Sequence, residues 1–144
     1  MYNNFAKLEF DSNSYNEGFA RMATVAFLAP IDPTLEVLSD VKTAISEAIT
    51  NCIIHGYENT CGTIFMNMYF NNNIFRVEII DNGVGIEDID KAMEPMFTTK
   101  SNKERSGMGF CFMEAFMDEL RVDSTVGKGT KIVMKKVFNR EEML

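Results

Sequence analysis

The stretch from about Thr34 to His55 constrains this chain more than any other. Leu35, Leu38, Val41, Ala44, Ile45, Ala48, Ile49, Cys52 and Ile53 keep the three-and-four spacing of an amphipathic helix, and Gly56 is placed to stop it. The periodicity then switches from helical to alternating. Thr63–Phe70 and Ile74–Ile80 are β-rich runs, and the Asn71-Asn72-Asn73 between them signals a hairpin. A long helix with one apolar stripe must bury it, and the hairpin that follows offers the surface.

The flanking segments extend the same pattern. Leu8, Phe10 and their neighbours predict a first strand over roughly 5–11. Asn13 or Ser14 offers an N-cap for a helix with Phe19, Met22, Ala23 and Ala26 as its expected buried face, and Pro30 and Pro33 end it. A short helix is expected after Ile86, then a polar stretch, Glu94–Ser106, long enough to act as a lid. Gly107–Leu120 is expected to be helical with Phe112, Ala115 and Phe116 inward. Leu120–Ser124 and Thr130–Phe138 form a second hairpin, turning at Val126-Gly127-Lys128-Gly129. With 144 residues, no repeat and no linker, the expectation is one α+β domain spanning 1–144. Its helices would form one layer on a mostly antiparallel, mixed sheet.

The formal charge of −7 argues against a primary role in holding DNA or RNA, which demands clustered cations. It suits solubility, and also an encounter with a basic protein surface. Cys52, Cys61 and Cys111 lack a CxxC pair and read as reduced thiols, neither a disulfide framework nor a zinc site. The N-terminus has no signal-peptide layout, and the apolar run Ala23–Ile31 falls far short of the roughly 20 residues of a membrane span. A cytoplasmic protein with no membrane partner is expected.

The chemistry concentrates in four places. Glu47, Asn51 and His55 recur every fourth residue, forming a slanted polar stripe about 12 Å long on the central helix. Such a stripe either faces solvent as spaced polar pairs or works as a site. In the second case Asn51 offers a carbonyl oxygen to Mg, and Glu47 a base for a hydroxyl attacking a γ-phosphate. His55 reads as a cap-region residue at the helix C-terminus. The second place is Asp81-Asn82-Gly83-Val84-Gly85, directly after a strand. It reads as an Asn-Gly turn, or as a close backbone approach to a planar ligand whose amine Asp81 accepts.

The third is Arg105-Ser106-Gly107-Met108-Gly109, which opens a helix and exposes N–H groups to phosphate. It matches neither the Walker loop nor the dinucleotide fingerprint. Thr98, Thr99, Lys100 and Arg105 are donors that a lid would bring to a terminal phosphate. The fourth, Gly127-Lys128-Gly129-Thr130, is a hairpin turn from which Thr130 can face a base.

Taken in order, these motifs resemble the nucleotide-binding (Bergerat-type) domain shared by gyrase, Hsp90-type chaperones, histidine kinases and DNA mismatch-repair ATPases. The match comprises Glu47-x3-Asn51-x3-His55, Asp81-x-Gly83-x-Gly85, Phe97-Thr98-Thr99-Lys100, Gly107-x-Gly109 and Gly129-Thr130. Within that superfamily the whole chain is similar to the anti-sigma factor kinases of endospore formers. The closest segments are Ser46–Tyr57, Phe97–Lys100, Glu104–Phe110 and Phe112–Glu119.

The resemblance implies ATP or ADP with Mg, Glu47 as general base, Asn51 as metal ligand and Asp81 as adenine contact. Gly83, Gly85, Gly107 and Gly109 would shape the pocket, and Arg105 would lie at the lid near the γ-phosphate. It further implies a homodimer that binds an early sporulation sigma factor and phosphorylates a serine of an anti-anti-sigma protein, with Arg21 contacting both. Two other functions stay open: an ATP-gated sigma-binding inhibitor without kinase activity, and the catalytic domain of a histidine kinase.

Overall fold

The computed structural model describes residues 2–94 and 109–139. Strand β1 (Asn4–Asp11) leads into helix α1 (Tyr15–Leu28), a 3-10 turn (Ala29–Ile31) and helix α2 (Leu35–Asn51), which runs on into a π turn (Cys52–Gly56). The hairpin β2 (Thr63–Asn71) and β3 (Ile74–Asp81) follows, then the single-turn helix α3 (Ile89–Ala92). Helix α4 (Phe110–Phe116) and the hairpin β4 (Glu119–Thr125) and β5 (Gly129–Val137) close the order. The five strands form one sheet in the order β1-β2-β3-β5-β4, and each described pairing is antiparallel.

Local chemistry explains the main boundaries. Thr34 caps α2 by accepting from the Val37 N–H at 3.3 Å. Asn72 and Asn73 adopt positive φ (53° and 63°), the conformation a two-residue hairpin turn of the primed type needs. Alternation then sorts the sheet. Ile64, Met66, Met68 and Phe70 of β2 and Phe75, Val77 and Ile79 of β3 point to the helix layer and are buried. Helix α2 packs between α1 and α4 on that face, burying Val37, Val41, Ala44, Ile45, Ala48 and Ile49.

Two expected helix faces are corrected. On α1 the buried residues are Ala20, Thr24, Phe27 and Leu28; of the expected face Ala23 packs partly buried against the core, whereas Phe19 and Met22 are 49% and 62% exposed and Ala26 is exposed. Small Ala20 and Thr24 let the helix lie close to its neighbours, and the Thr24 hydroxyl satisfies itself by donating to the Ala20 carbonyl at 2.9 Å. Phe19 instead meets the edge of Phe10, with ring centroids 5.7 Å apart. On α4, Phe110 and Met113 face inward while Phe112 is 53% exposed, Ala115 is exposed, and Phe116 is half-buried, stacked on Phe112. That helix also stops at Phe116 rather than near Leu120. Asp118 is drawn onto β5, its N–H donating to Lys135 O at 2.8 Å and its carboxylate accepting from Val137 N at 2.6 Å.

Candidate functional site

The register of the sheet places three inward polar residues at one end. Asp81 pairs with Thr130, and Thr130 with Ser124, where the apolar rows Val77–Ile79, Ile132–Met134 and Leu120–Val122 run out. The C-terminal end of α2 and its π turn lie over this end of the sheet. The cleft between them is lined by Asn51, His55, Gly56, Asp81, Gly85, Ile86 and Thr130. The structure thus brings together Asn51 and His55 of the polar stripe, the Asp81–Gly85 turn and Thr130, from distant parts of the sequence.

On the helix wall, Asn51 is 5% exposed, and among the described residues its side-chain amide has no hydrogen-bond partner. A buried amide left unpaired in the protein is costly, and is the state expected of a group that pairs with a ligand. Glu47, one turn earlier, is half-buried. Its carboxyl is held above its ordinary pKa, first by burial and then by the negative charge of Glu17 on α1. Gly109, which begins α4 at φ 74°, abuts it: a methyl there would stand 2.3 Å from Glu47 Oε1. The polar pairs expected on a solvent face therefore do not describe this stripe, since Asn51 is buried and His55 and Glu47 are partly covered.

Arg21 lies beside this wall. Its Nη1 donates to Ser46 Oγ at 3.0 Å and sits 3.9 Å from Glu17, whose Oε2 in turn accepts from Thr50 Oγ1 at 3.1 Å. Ser46 and Thr50 flank Glu47 along α2, so the network joins α1 to the helix that carries the site.

The floor is built around Asp81, 4% exposed. Burial raises its carboxyl above the ordinary value, against hydrogen bonds from the Gly83 N–H, the Cys52 thiol and the Thr130 N–H. The Gly83 bond, 2.9 Å to Oδ1, closes a tight turn of the aspartate onto its own backbone two residues on. Gly83 itself must be glycine, because a Cβ would fall 2.0 Å from the Gly56 carbonyl oxygen. That carbonyl, turned outward by the π turn, accepts from Val84 N at 2.9 Å. Gly85 has φ 81° and lies against the Thr125 backbone.

Two residues that sequence reasoning missed fasten this floor. The Tyr57 hydroxyl donates to Thr63 O at 2.5 Å and accepts from Asn82 N at 2.7 Å, tying the end of α2 to both strands of the hairpin. Ser124 Oγ donates to Gly129 O at 3.0 Å, accepts from Ile86 N at 2.8 Å and lies 2.8 Å from Thr130 Oγ1. A polar residue at the inward position of an alternating strand was the signal for Ser124. Tyr57 left none. Glu17 and the thiol of Cys52 were likewise not singled out for the site. Of the expected site residues, Thr98, Thr99, Lys100, Arg105, Ser106, Gly107 and Met108 lie outside the described residues.

Comparison with known proteins agrees with this architecture. The model of the histidine kinase-like ATPase domain matches residues 12–136. The anti-sigma F factor of Thermoanaerobacter sp. (strain X514) is 53% identical over 141 residues, covering 98% of this chain and 99% of that protein. That of Clostridium botulinum (strain Eklund 17B / Type B) is 56% identical over 140 residues, covering 96% and 98%. Among solved structures, a Mycobacterium tuberculosis chain with RsbU and RsbW domains superposes with a TM-score of 0.67 at 19% identity; the match covers 93% of this chain and 32% of that one. The catalytic domain of histidine kinase ThkA gives 0.56 at 15% identity, covering 96% and 99%. At such identities the structures show the fold alone. The chain belongs to the histidine kinase-like ATPase domain family, in the branch of the anti-sigma F factors. Membership of that family implies nucleotide binding.

Proposed function

We propose that this protein is an anti-sigma factor that withholds a sporulation sigma factor from RNA polymerase, and a serine kinase that uses Mg-ATP to inactivate an anti-anti-sigma protein. The curated relatives, matched from end to end, carry the name anti-sigma F factor. The observation that carries the kinase reading is the α2 wall: a half-buried carboxylate of raised proton affinity one turn before a buried, unpartnered amide.

Bound nucleotide would supply the phosphoryl group, and its Mg the charge neutralisation. Asn51 would donate its amide oxygen to the metal, whose remaining positions nucleotide phosphates and water fill. Asp81 would accept from the adenine amine, with Thr130 beside it. Glu47 would orient the serine hydroxyl of the partner and take its proton. Thr98, Thr99, Lys100, Arg105, Ser106, Gly107, Met108 and Gly109 would enclose the phosphates. Arg21, with Arg105, would meet the protein partners as a homodimer engages them in the cytoplasm. No helix among the described residues is long and apolar enough to cross a membrane.

Transfer from labelled ATP to the anti-anti-sigma protein tests this directly. Glu47→Ala should lower phosphoserine formation by about a hundredfold or more while retaining ATP binding. Asn51→Ala should weaken binding of Mg-ATP itself. Undiminished transfer by the first variant removes Glu47 as base. Nucleotide-dependent sigma binding with no phosphoserine formed by the unmodified protein would instead leave the ATP-gated inhibitor.

A further inference from the structure

The Ser124 hydroxyl stands behind the cleft and makes three contacts. It lies 3.0 Å from Gly129 O, 2.8 Å from Ile86 N and 2.8 Å from Thr130 Oγ1. A serine hydroxyl has one proton to donate and two lone pairs that accept. The Gly129 carbonyl can only accept, so that contact takes the Ser124 proton. The Ile86 N–H can only donate, and it takes one lone pair. The second lone pair faces Thr130, which must then be the donor. The reverse direction, from Ser124 to Thr130, would leave the Gly129 contact without a proton and satisfy two of the three. The three contacts together thus fix where the Thr130 proton points.

Thr130 lines the cleft beside Asp81, its partner across β3 and β5. With its proton spent on Ser124, its oxygen offers a ligand lone pairs alone, as the Asp81 carboxylate does. Two adjacent groups that only accept match a group that only donates. The 6-amino group of a purine supplies two N–H bonds there. A 6-oxo group supplies none, and sets lone pairs against lone pairs.

We propose that Ser124 is a positioning residue for base selection: it holds the Thr130 proton away from the cleft, and so turns the floor against 6-oxo purines. The proposal rests on the reading of Asp81 as the adenine contact. Without the Ser124 oxygen, Thr130 is free to turn its proton into the cleft and donate to a 6-oxo group.

The test compares affinity for ATP with affinity for ITP, which carries oxygen in place of the 6-amino group. The unmodified protein should prefer ATP. Ser124→Ala should shrink that preference by about fivefold, the value of one modest hydrogen bond, and Ser124→Thr, which keeps the hydroxyl, should retain it. Ser124→Ala also releases the Ile86 N–H, a structural loss that would lower both affinities equally. An equal loss, or an unchanged preference, overturns the proposal. Thr130→Val gives a second reading with Ser124 in place. It removes the acceptor, so ATP affinity should fall by about fivefold while ITP affinity holds. A loss for ITP as large as that for ATP, or larger, overturns the proposal. Equal binding of ATP and ITP by the unmodified protein would remove the Asp81 reading, and the proposal with it.

Discussion

Single residues here take their chemistry from their neighbours. Glu47 and Glu17 sit on different helices, yet the charge of one raises the proton affinity of the other, after burial. In its proposed role as base, a carboxyl so tuned stays protonated to higher pH than a free one, so transfer should fail on the acid side above the ordinary glutamate range. Replacing Glu17 by Gln removes the like charge and leaves burial. The acid limb of the pH–rate profile should therefore move to lower pH, and a limb that stays in place would show that Glu17 has no hold on the base. The sequence made Glu47, Asn51 and Asp81 legible because their spacing on one helix and at one strand end is itself the signal. Glu17 and Tyr57 were not legible, since each acts through a partner far along the chain, and Ser124 left only its inward place on an alternating strand.

At the scale of elements, periodicity told helix from strand but not always which face turned inward. On α2 the apolar stripe admits one phase, and the expected face is the buried one. On α1 two stripes compete. The one with Phe19 and Met22 lost to the one with Ala20, Thr24, Phe27 and Leu28, in which the small residues admit close approach and the large ones fill the core. On α4 Phe112 likewise stayed outside and Phe116 is half-buried against it, while Phe110 and Met113 went in. The bond between elements that matters most to the site is backbone against backbone, where the π turn meets the loop after β3. Gly83→Ala would drive a methyl to 2.0 Å from Gly56 O, and neither side is a flexible side chain. It should cost about 1–3 kcal/mol in chemical denaturation and abolish nucleotide binding. Retention of both would mean that the two backbones can separate.

Across the whole molecule the two buried carboxylates of β3 respond oppositely to pH. Burial pushes Glu78 up, but Asn67, Arg76 and Lys131 together outweigh it and hold it below its ordinary value. Arg76 Nη2 reaches Glu78 Oε2 at 2.6 Å, and Lys131 Nζ the same oxygen at 3.7 Å. A depressed carboxyl contributes stability above its unfolded pKa and loses it as pH falls through the folded one. Asp81, raised by burial, does the reverse: its ionisation costs stability as pH climbs through the carboxylate range. Glu78→Gln should accordingly lower Tm by a few degrees at neutral pH, with the gap closing in acid. A gap that is constant with pH would place the loss in packing rather than charge.

The pairing of Asp81 with Thr130 has a consequence for how the molecule comes into being. The helix wall of the cleft is local in sequence and can form within one segment. Its floor exists only when β3 finds β5 across the intervening chain, a distant encounter of the kind that slows folding. A cleft that needs both parts is complete only once that pairing is made. In a cell rich in ATP, mass action would then favour the finished fold over its precursors.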